Sequence, residues 1–444
     1  MMKAIDLFAG AGGLSLGLHL AGIDVVGAVE IDSHACETYR HNLGDHIFEK
    51  DITSFPPKEM EELMKSENLI NSKKDIDLVV GGPPCPGFSN IGRSKISSLI
   101  KEGKWSGSEI RHSFIEDPRN KLFHQFVKYV KYFQPSVFLM ENVSGMTSYR
   151  SSDNKPIIEV IRNEFENINY NVKIEMLTAS DFGVPQSRKR IFFMGWRNDY
   201  NEPFFPVAKG FEITSMEAIC DIPESWHHSD QMHESSLLSL KKSSEILSLK
   251  GERKLSLEGR EFLKKMRTLK PPNNGNLKRQ KINLHRSRVV NPRDVGVFPE
   301  IKSGEFGIKK MFKDIDPSII TYPDNWRWNK STGTIWNGRH GQYRRDYRWY
   351  NPGTFGDKMR RIRGDKPAPT IVAHLTHDGY MFIHPDIHRT ITVREAARFQ
   401  SFPDKFDFSA NGKVPWSKQF KQVGNAVPPL LAKELGLSIM KSIH

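Results

Sequence analysis

The chain has 444 residues, is 38% hydrophobic and carries a formal net charge of +13. No stretch approaches the roughly 18 apolar residues of a membrane span. The opening MMKAIDLFAGAGG shows no signal-peptide pattern, and Cys36, Cys85 and Cys220 lie too far apart for a disulfide framework or a CxxC zinc site.

Strand and helix signals alternate through the first two hundred residues. KAIDLFAG reads as a buried strand ending at Asp6–Gly10, and GLSLGLHLAG as a short helix closed by Gly22. IDVVGAVEID is a second strand, ending at Glu30, and Asp51 in EKDIT closes a third. DIDLVVGGPPC runs into the proline-flanked loop of Cys85. Asp117 caps a helix with Pro118 at its first position. Leu122, Phe123, Phe126, Val127, Val130 and Phe133 recur there at helical spacing. PSVFLMENV and RIFFMGW complete the strands. This is a βαβ pattern, which predicts an α/β fold with a doubly wound, mostly parallel sheet and helices on both faces. Beyond about residue 198 the alternation stops. Residues 237–290 are rich in Lys, Ser and Leu, and Trp and Tyr interleave with Arg over 326–350.

The special residues cluster where strands end, the place where open α/β sheets bind ligands. The turn DLFAGAGG lacks the GxGxxG spacing of a dinucleotide site. Glu30 follows about twenty residues on, where an acid meets ribose hydroxyls. Together with Asp51 it suits a nucleoside cofactor without a pyrophosphate. Cys85 sits on a stiff loop, because its flanking prolines fix φ and remove donors. Such a thiol becomes nucleophilic where a charge or a hydrogen bond lowers its pKa. A carboxylate ending an apolar strand makes Glu141 a candidate acid or base. QSRKR puts Arg188 and Arg190 on one side of an extended segment. His374, His377, His384 and His388 have no Cys or carboxylate placed to complete a metal site, and no metal is expected.

Taken in order, DLFAGAGGLSLG, VEID, PPCPGFS, DPRNKLF, ENV, QSRKR, RTITVREAARFQSFPD and QVGNAVPP resemble the DNA (cytosine-5) methyltransferase family over about 3–197 and 356–435. One position departs: the family most often has Gln where this chain has Pro86. The resemblance implies a Rossmann-like methyltransferase fold that binds S-adenosylmethionine and transfers its methyl group to carbon 5 of a cytosine in double-stranded DNA. It implies that Cys85 is the nucleophile, that Glu141 binds the base, and that Arg188 and Arg190 hold the base carbonyl and a closed loop. It places Asp6, Phe8, Gly10, Gly12, Gly13, Glu30, Ile31, Asp51, Ile52, Pro84, Leu122, Asn425 and Val427 around the cofactor. A catalytic domain of 1–197 and 420–444 is expected, with a smaller, irregular target-recognition domain at 198–419 whose variable part is about 198–355. Candidate DNA contacts are Ser89, Arg327, Arg339, Arg344, Arg345 and Arg348. Since carbon 6 of a stacked cytosine is hidden, the base must be flipped out, and residues 87–116 are the expected closing loop. The type implied is a monomeric, cytoplasmic bacterial restriction–modification enzyme, partnered functionally by a cognate restriction endonuclease.

Three rivals share some of these features. A tRNA cytosine-5 methyltransferase has the same motifs, but the long basic insert at 198–355 favours DNA. Intact Cys85, Glu141, Arg188 and Arg190 disfavour a non-catalytic DNA-binding protein. The absent GxGxxG disfavours a nicotinamide oxidoreductase.

Overall fold

A computed structural model describes residues 1–84, 122–150, 154–222, 255–273, 284–285, 301–305, 359–376, 379–387 and 389–443, together with the backbone of three short strands between 327 and 344. Cys85, Ser89, Arg339, Arg345 and Arg348, the 87–116 loop and the helix cap at Asp117–Pro118 lie outside the described residues.

Seven strands form one sheet: β1 (Lys3–Leu7), β2 (Asp24–Glu30), β3 (Ile47–Glu49), β4 (Leu78–Gly81), β5 (Val137–Val143), β6 (Tyr170–Thr178) and β7 (Lys189–Arg197). Their order is β3-β2-β1-β4-β5-β7-β6. The first five run parallel, and β7 is antiparallel to both β5 and β6. The order reverses beside β1, so β1 and β4 flank the crevice that a doubly wound sheet opens at its carboxyl edge. The expected α/β fold is therefore present, with an antiparallel pair closing one edge. The sequence reading had not singled out β6. Its residues are mostly partly exposed, as on an edge strand, so no apolar run marks it.

Side-chain alternation along the strands divides the core in two. Leu78, Val80, Val137 and Leu139 face one cluster with helices α1 (Gly13–Ala21), α2 (Ser33–Leu43) and later elements. Val79, Phe138 and Met140 face the other, with α3 (Pro57–Ser66), α4 (Phe123–Phe133) and α5 (Ile157–Glu166). Phe123, Phe126, Val127, Val130 and Phe133 of α4 are buried as their spacing predicted, whereas Leu122, just before its first turn, is half-buried and packs against the same cluster.

The later chain returns to the first layer. α6 (Ser215–Ile219), α7 (Leu257–Thr268), α8 (Val393–Phe399), α9 (Trp416–Asn425) and α10 (Pro429–Ile443) all supply residues to it. α8 starts in a capping box, with Thr392 and Glu395 each bonding the other's backbone N–H. α10 lies against α1 so closely that a Cβ on Gly17 would stand 2.3 Å from that of Ala432. A separate antiparallel sheet, β8 (Arg327–Asn329), β9 (Thr334–Asn337) and β10 (Gly341–Arg344), has Arg327 and Arg344 at its ends. Among the described residues no helix is long and apolar enough to cross a membrane.

Candidate active site

A cleft of about 740 Å³ opens at the carboxyl edge of β1, β2, β4 and β5. Three of the predicted strand ends line it, through Asp6, Phe8–Gly10, Glu30 and Glu141–Val143, and Gly82–Pro84 line it beyond β4, up to the last described residue before Cys85. Arg188, Arg190, residues 371–374 and the end of α9 form the facing wall.

At one end the glycine turn sets the shape. Phe8 has φ 62° and Gly12 has φ 90°, left-handed values that favour glycine at the second. A Cβ on Gly13 would stand 2.4 Å from the Val427 carbonyl oxygen, so only glycine admits the C-terminal segment here. Glu30 is fixed by backbone donors. Gly10 N–H donates to Oε2 at 2.8 Å, and the N–H groups of Ile31 and Asp32 donate to Oε1 at 2.9 and 2.8 Å. Asp51 Oδ1 accepts from Thr53 N at 2.9 Å and Thr53 Oγ1 at 2.7 Å. Ile31 lines the cleft yet is 65% exposed, an apolar surface open to a flat ligand. Ile52, Pro84, Leu122, Asn425 and Val427 line it too. Gly12 and Gly13 support the turn from behind rather than lining it.

Asp6 is buried at the floor and accepts from Ser15 Oγ at 2.6 Å. Burial pushes its carboxyl up to about 7; the Ser15 hydrogen bonds oppose the shift and the Glu30 charge adds to it. Ser15 Oγ in turn accepts from Tyr39 OH at 3.1 Å.

At the other end, Arg190 Nε donates to Glu141 Oε1 at 2.9 Å, with both side chains largely buried. The pairing of β5 with β7, which sets Val143 opposite Arg190, brings them together. A Cβ on Gly82 would stand 3.2 Å from Glu141 Oε2, so glycine keeps that oxygen clear. Asn142 Nδ2 donates to the Pro83 carbonyl at 3.1 Å and ties the start of the cysteine loop to β5.

Arg188 and Arg190 do share the cleft wall, but they do different things. Arg188 is only 2% exposed, and its Nη1 donates to the carbonyls of Ile371 at 3.2 Å and Gly424 at 3.0 Å. Burial first, and then the Arg190 charge, hold its guanidinium below the ordinary arginine range, with Glu141 pulling the other way.

Some lining groups escaped the sequence reading. Lys421 pairs with Asp32 at 2.7 Å at the rim, and Lys50 and residues 371–373 complete the walls. Gln186 and Gln400, buried behind the cleft, were also missed, although each stands inside a quoted motif as a lone amide beside apolar residues.

His374 lines the cleft. His384 is buried, and its Nδ1 accepts from the N–H groups of Asp386 and Ile387. Among the described residues no His, Cys, Asp and Glu cluster could hold a metal ion. Cys36 and Cys220 are buried, and burial, then Glu30 and Glu49, push the Cys36 thiol up to about 12, so it supplies no thiolate.

Comparison with known proteins places the chain in a family. The model of the C-5 cytosine-specific DNA methylase family matches residues 2–441. The type II methyltransferase M.DdeI of Desulfomicrobium norvegicum is 31% identical over 98% of this chain and 87% of its own length. The type II methyltransferase M1.HphI of Haemophilus parahaemolyticus is 31% identical over 98% and 86%. A crystal structure of a prophage-encoded DNA modification methyltransferase of E. coli superposes with a TM-score of 0.66 at 24% identity, covering 100% of this chain and 99% of that one.

Proposed function

Because the chain belongs to the C-5 cytosine-specific DNA methylase family and is a DNA cytosine-5 methyltransferase, we propose that its cleft joins an S-adenosylmethionine site to a pocket for a flipped cytosine, with Cys85 as the covalent nucleophile. The observation that carries this reading is the Glu141–Arg190 pair, 2.9 Å apart, in the same cleft as the glycine turn and Glu30.

The glycine-turn end fits the cofactor. Glu30 and Asp51 offer carboxylates for ribose hydroxyls and an adenine amino group, Phe8, Ile31 and Ile52 offer apolar faces, and Asp6 and Gly10 bound the methionine end. When bound there, S-adenosylmethionine supplies an electrophilic methyl group.

The chain's own residues prepare the base. Carbon 5 of cytosine is a poor nucleophile. The Cys85 thiolate forms a bond to carbon 6, and the ring electrons move toward carbon 5 as Glu141 delivers a proton to ring nitrogen 3. One hard step is thereby split into easier ones. Arg190 holds Glu141 and presents its remaining N–H groups to the base carbonyl. Once carbon 5 carries the methyl group, its proton is lost to solvent and the electrons re-form the C5–C6 double bond, which breaks the S–C6 bond and frees Cys85 as the thiolate, while the proton on ring nitrogen 3 returns to Glu141. The base reaches the cleft by leaving the duplex stack, at a cost of a few kcal/mol.

DNA recognition belongs, in this reading, to 198–419. Side chains of 359–408 pack in the same core as α1 and α10, and so do Phe205, Ile213, Ile219, Phe262 and Met266; the part that varies with the recognised word is proposed to lie within about 198–355. Arg327 and Arg344 stand at the ends of the small sheet within it and are proposed as DNA contacts, with Ser89, Arg339, Arg345 and Arg348. The substrate is duplex DNA, the working form is a monomer, and a cognate restriction endonuclease completes the system; the relatives' type II names support that pairing.

Labelled methyl transfer from S-adenosylmethionine to plasmid DNA and to tRNA, followed by base-resolution mapping, tests the reading. Label confined to one cytosine of a fixed duplex word is expected. Label in tRNA alone would overturn it.

A further inference from the structure

The cleft's two ends share a wall, and a pair of buried amides holds that wall in place. Gln186 and Gln400 are both fully buried. Gln186 Nε2 donates to the Phe399 carbonyl at 3.1 Å and to Gln400 Oε1 at 2.9 Å, while its Oε1 accepts from Ile371 N–H at 2.8 Å. Gln400 Nε2 donates to the carbonyls of Val423 at 2.7 Å and Ala426 at 3.3 Å. Fixed partners settle which way each amide points: Ile371 N–H can only donate, and the carbonyls of Phe399, Val423 and Ala426 can only accept.

Arg188, two residues after Gln186, closes the circuit by donating to Ile371 O and Gly424 O. Ile371 is therefore gripped on both sides, at its N–H by Gln186 and at its carbonyl by Arg188. The turn at 423–426 is gripped by Gln400 at both ends and by Arg188 between them. No slack remains where these segments meet, since a Cβ on Gly424 would stand 2.3 Å from the carbonyl carbon of Val372. Ile371, Val372, Asn425 and Val427 all face the cleft. Arg188 keeps one buried group, Nε, without a hydrogen-bond partner.

We propose that Gln186 and Gln400 are positioning residues that couple the two ends of the cleft, so that a ligand on the 423–427 wall tightens the seat of Arg188 and Arg190 and raises affinity for the base. This rests on the functional reading above. Neither amide touches a ligand; each acts through Ile371 and the 423–426 turn. Removing one leaves buried carbonyls and an N–H without partners, which loosens the wall. Coupling of this kind is reciprocal: each ligand improves the other's affinity by the same factor.

The test uses the full-length protein, a duplex carrying the methylated word and S-adenosylhomocysteine, the unreactive product. Fluorescence anisotropy gives duplex affinity with and without the nucleoside, and calorimetry gives nucleoside affinity with and without duplex. In the unaltered protein each should improve by about tenfold or more, within the usual range of allosteric coupling. In Gln400→Met and Gln186→Met the improvement should fall to within about twofold, with duplex affinity in the absence of nucleoside changed far less. Affinities that fall together while the coupling factor stays intact would reduce the amides to packing and overturn the proposal. Against the chance that these variants do not fold, hydrogen exchange of the Ile371 amide in the unaltered protein gives a second readout. It should slow several-fold on adding the nucleoside and further on adding duplex; an unchanged rate overturns the coupling. An unaltered protein that binds both ligands independently removes this inference alone. One that binds neither removes the functional reading as well.

Discussion

At the glycine-turn end of the cleft, Glu30 takes its hydrogen bonds from Gly10, Ile31 and Asp32, and Asp51 from Thr53, all within 20 residues along the chain. At the arginine end, Arg188 reaches carbonyls 183 and 236 residues away, and Gln186 reaches Ile371 and Phe399 across 185 and 213 residues. Local backbone therefore holds the two carboxylates of the first end, and the assembled tertiary structure holds the polar side chains of the second. Substitutions at the first end should act on ligand affinity one residue at a time. Those at the second should also act through the groups they hold in place.

Chemistry concentrates at the arginine end, and so does the largest expected effect. Glu141→Gln preserves shape but removes the acid, and should lower kcat by about 10²- to 10⁴-fold, the usual worth of a general acid. Cofactor affinity should stay within a few-fold, because the carboxylate lies toward Arg190 and Gly82. Single-turnover methylation with parallel calorimetry checks both. A variant that loses cofactor affinity while keeping its rate would move Glu141 to the other half of the cleft.

Asp6 sits on the floor, and its effect is on stability. Its carboxyl titrates near 7 when folded and near 3.8 when unfolded, so the folded state binds the proton more tightly. Below about pH 4 both states are protonated and Asp6 imposes no penalty. As pH rises to about 7 the penalty grows, and it stays full above that, at about 4 kcal/mol if burial alone decides it. Asp6→Asn keeps an acceptor for Ser15 and removes the charge. It should raise Tm at pH 8 and lose that advantage as pH falls toward 4. Equal Tm differences at pH 8 and pH 5 would mean the charge is not what Asp6 contributes.

Glu30 gives the smallest effect and the sharpest contrast. Glu30→Ala should weaken cofactor binding by about 1–3 kcal/mol, the cost of leaving polar partners unpaired. Glu30→Gln should not rescue it. Both carboxylate oxygens accept backbone N–H groups, so an amide would set an NH₂ against a donor. Full rescue by Gln in calorimetry would show that the three backbone contacts do not hold this side chain.

The same contrast explains what could be read from the chain before the fold was known. The strands, the glycine turn and the placement of Asp6, Glu30, Asp51 and Glu141 at strand ends follow from short-range pattern. Gly10, Glu30 and Asp51 need no distant partner to be recognised. The buried duty of Arg188 was not legible, because its carbonyl partners belong to residues 371 and 424 and only the fold brings them near. QSRKR suggested two equivalent arginines; the structure gives Arg190 to Glu141 and Arg188 to the backbone of the opposite wall. The Gln186–Gln400 pair was hidden for the same reason, since a glutamine inside a motif does not announce a partner 214 residues away. Strand β6 escaped notice because an edge strand with partly exposed side chains lacks the apolar run that marks its neighbours.

The central claim is that Cys85, carried just beyond the cleft-lining Pro84, attacks the base that Glu141 and Arg190 hold. A duplex bearing 5-fluorocytosine at the methylated position tests it most directly. After methyl transfer fluorine cannot leave carbon 5 as a proton does, so elimination stops and the S–C6 bond persists. With S-adenosylmethionine present, the unaltered protein should give a denaturation-resistant protein–DNA adduct whose mass contains both components and one methyl group. Peptide mapping should place the bond at Cys85, and Cys85→Ala should give no adduct. An adduct formed by Cys85→Ala, or an unaltered protein that methylates cytosine yet leaves the fluorinated duplex unattached, would contradict the account.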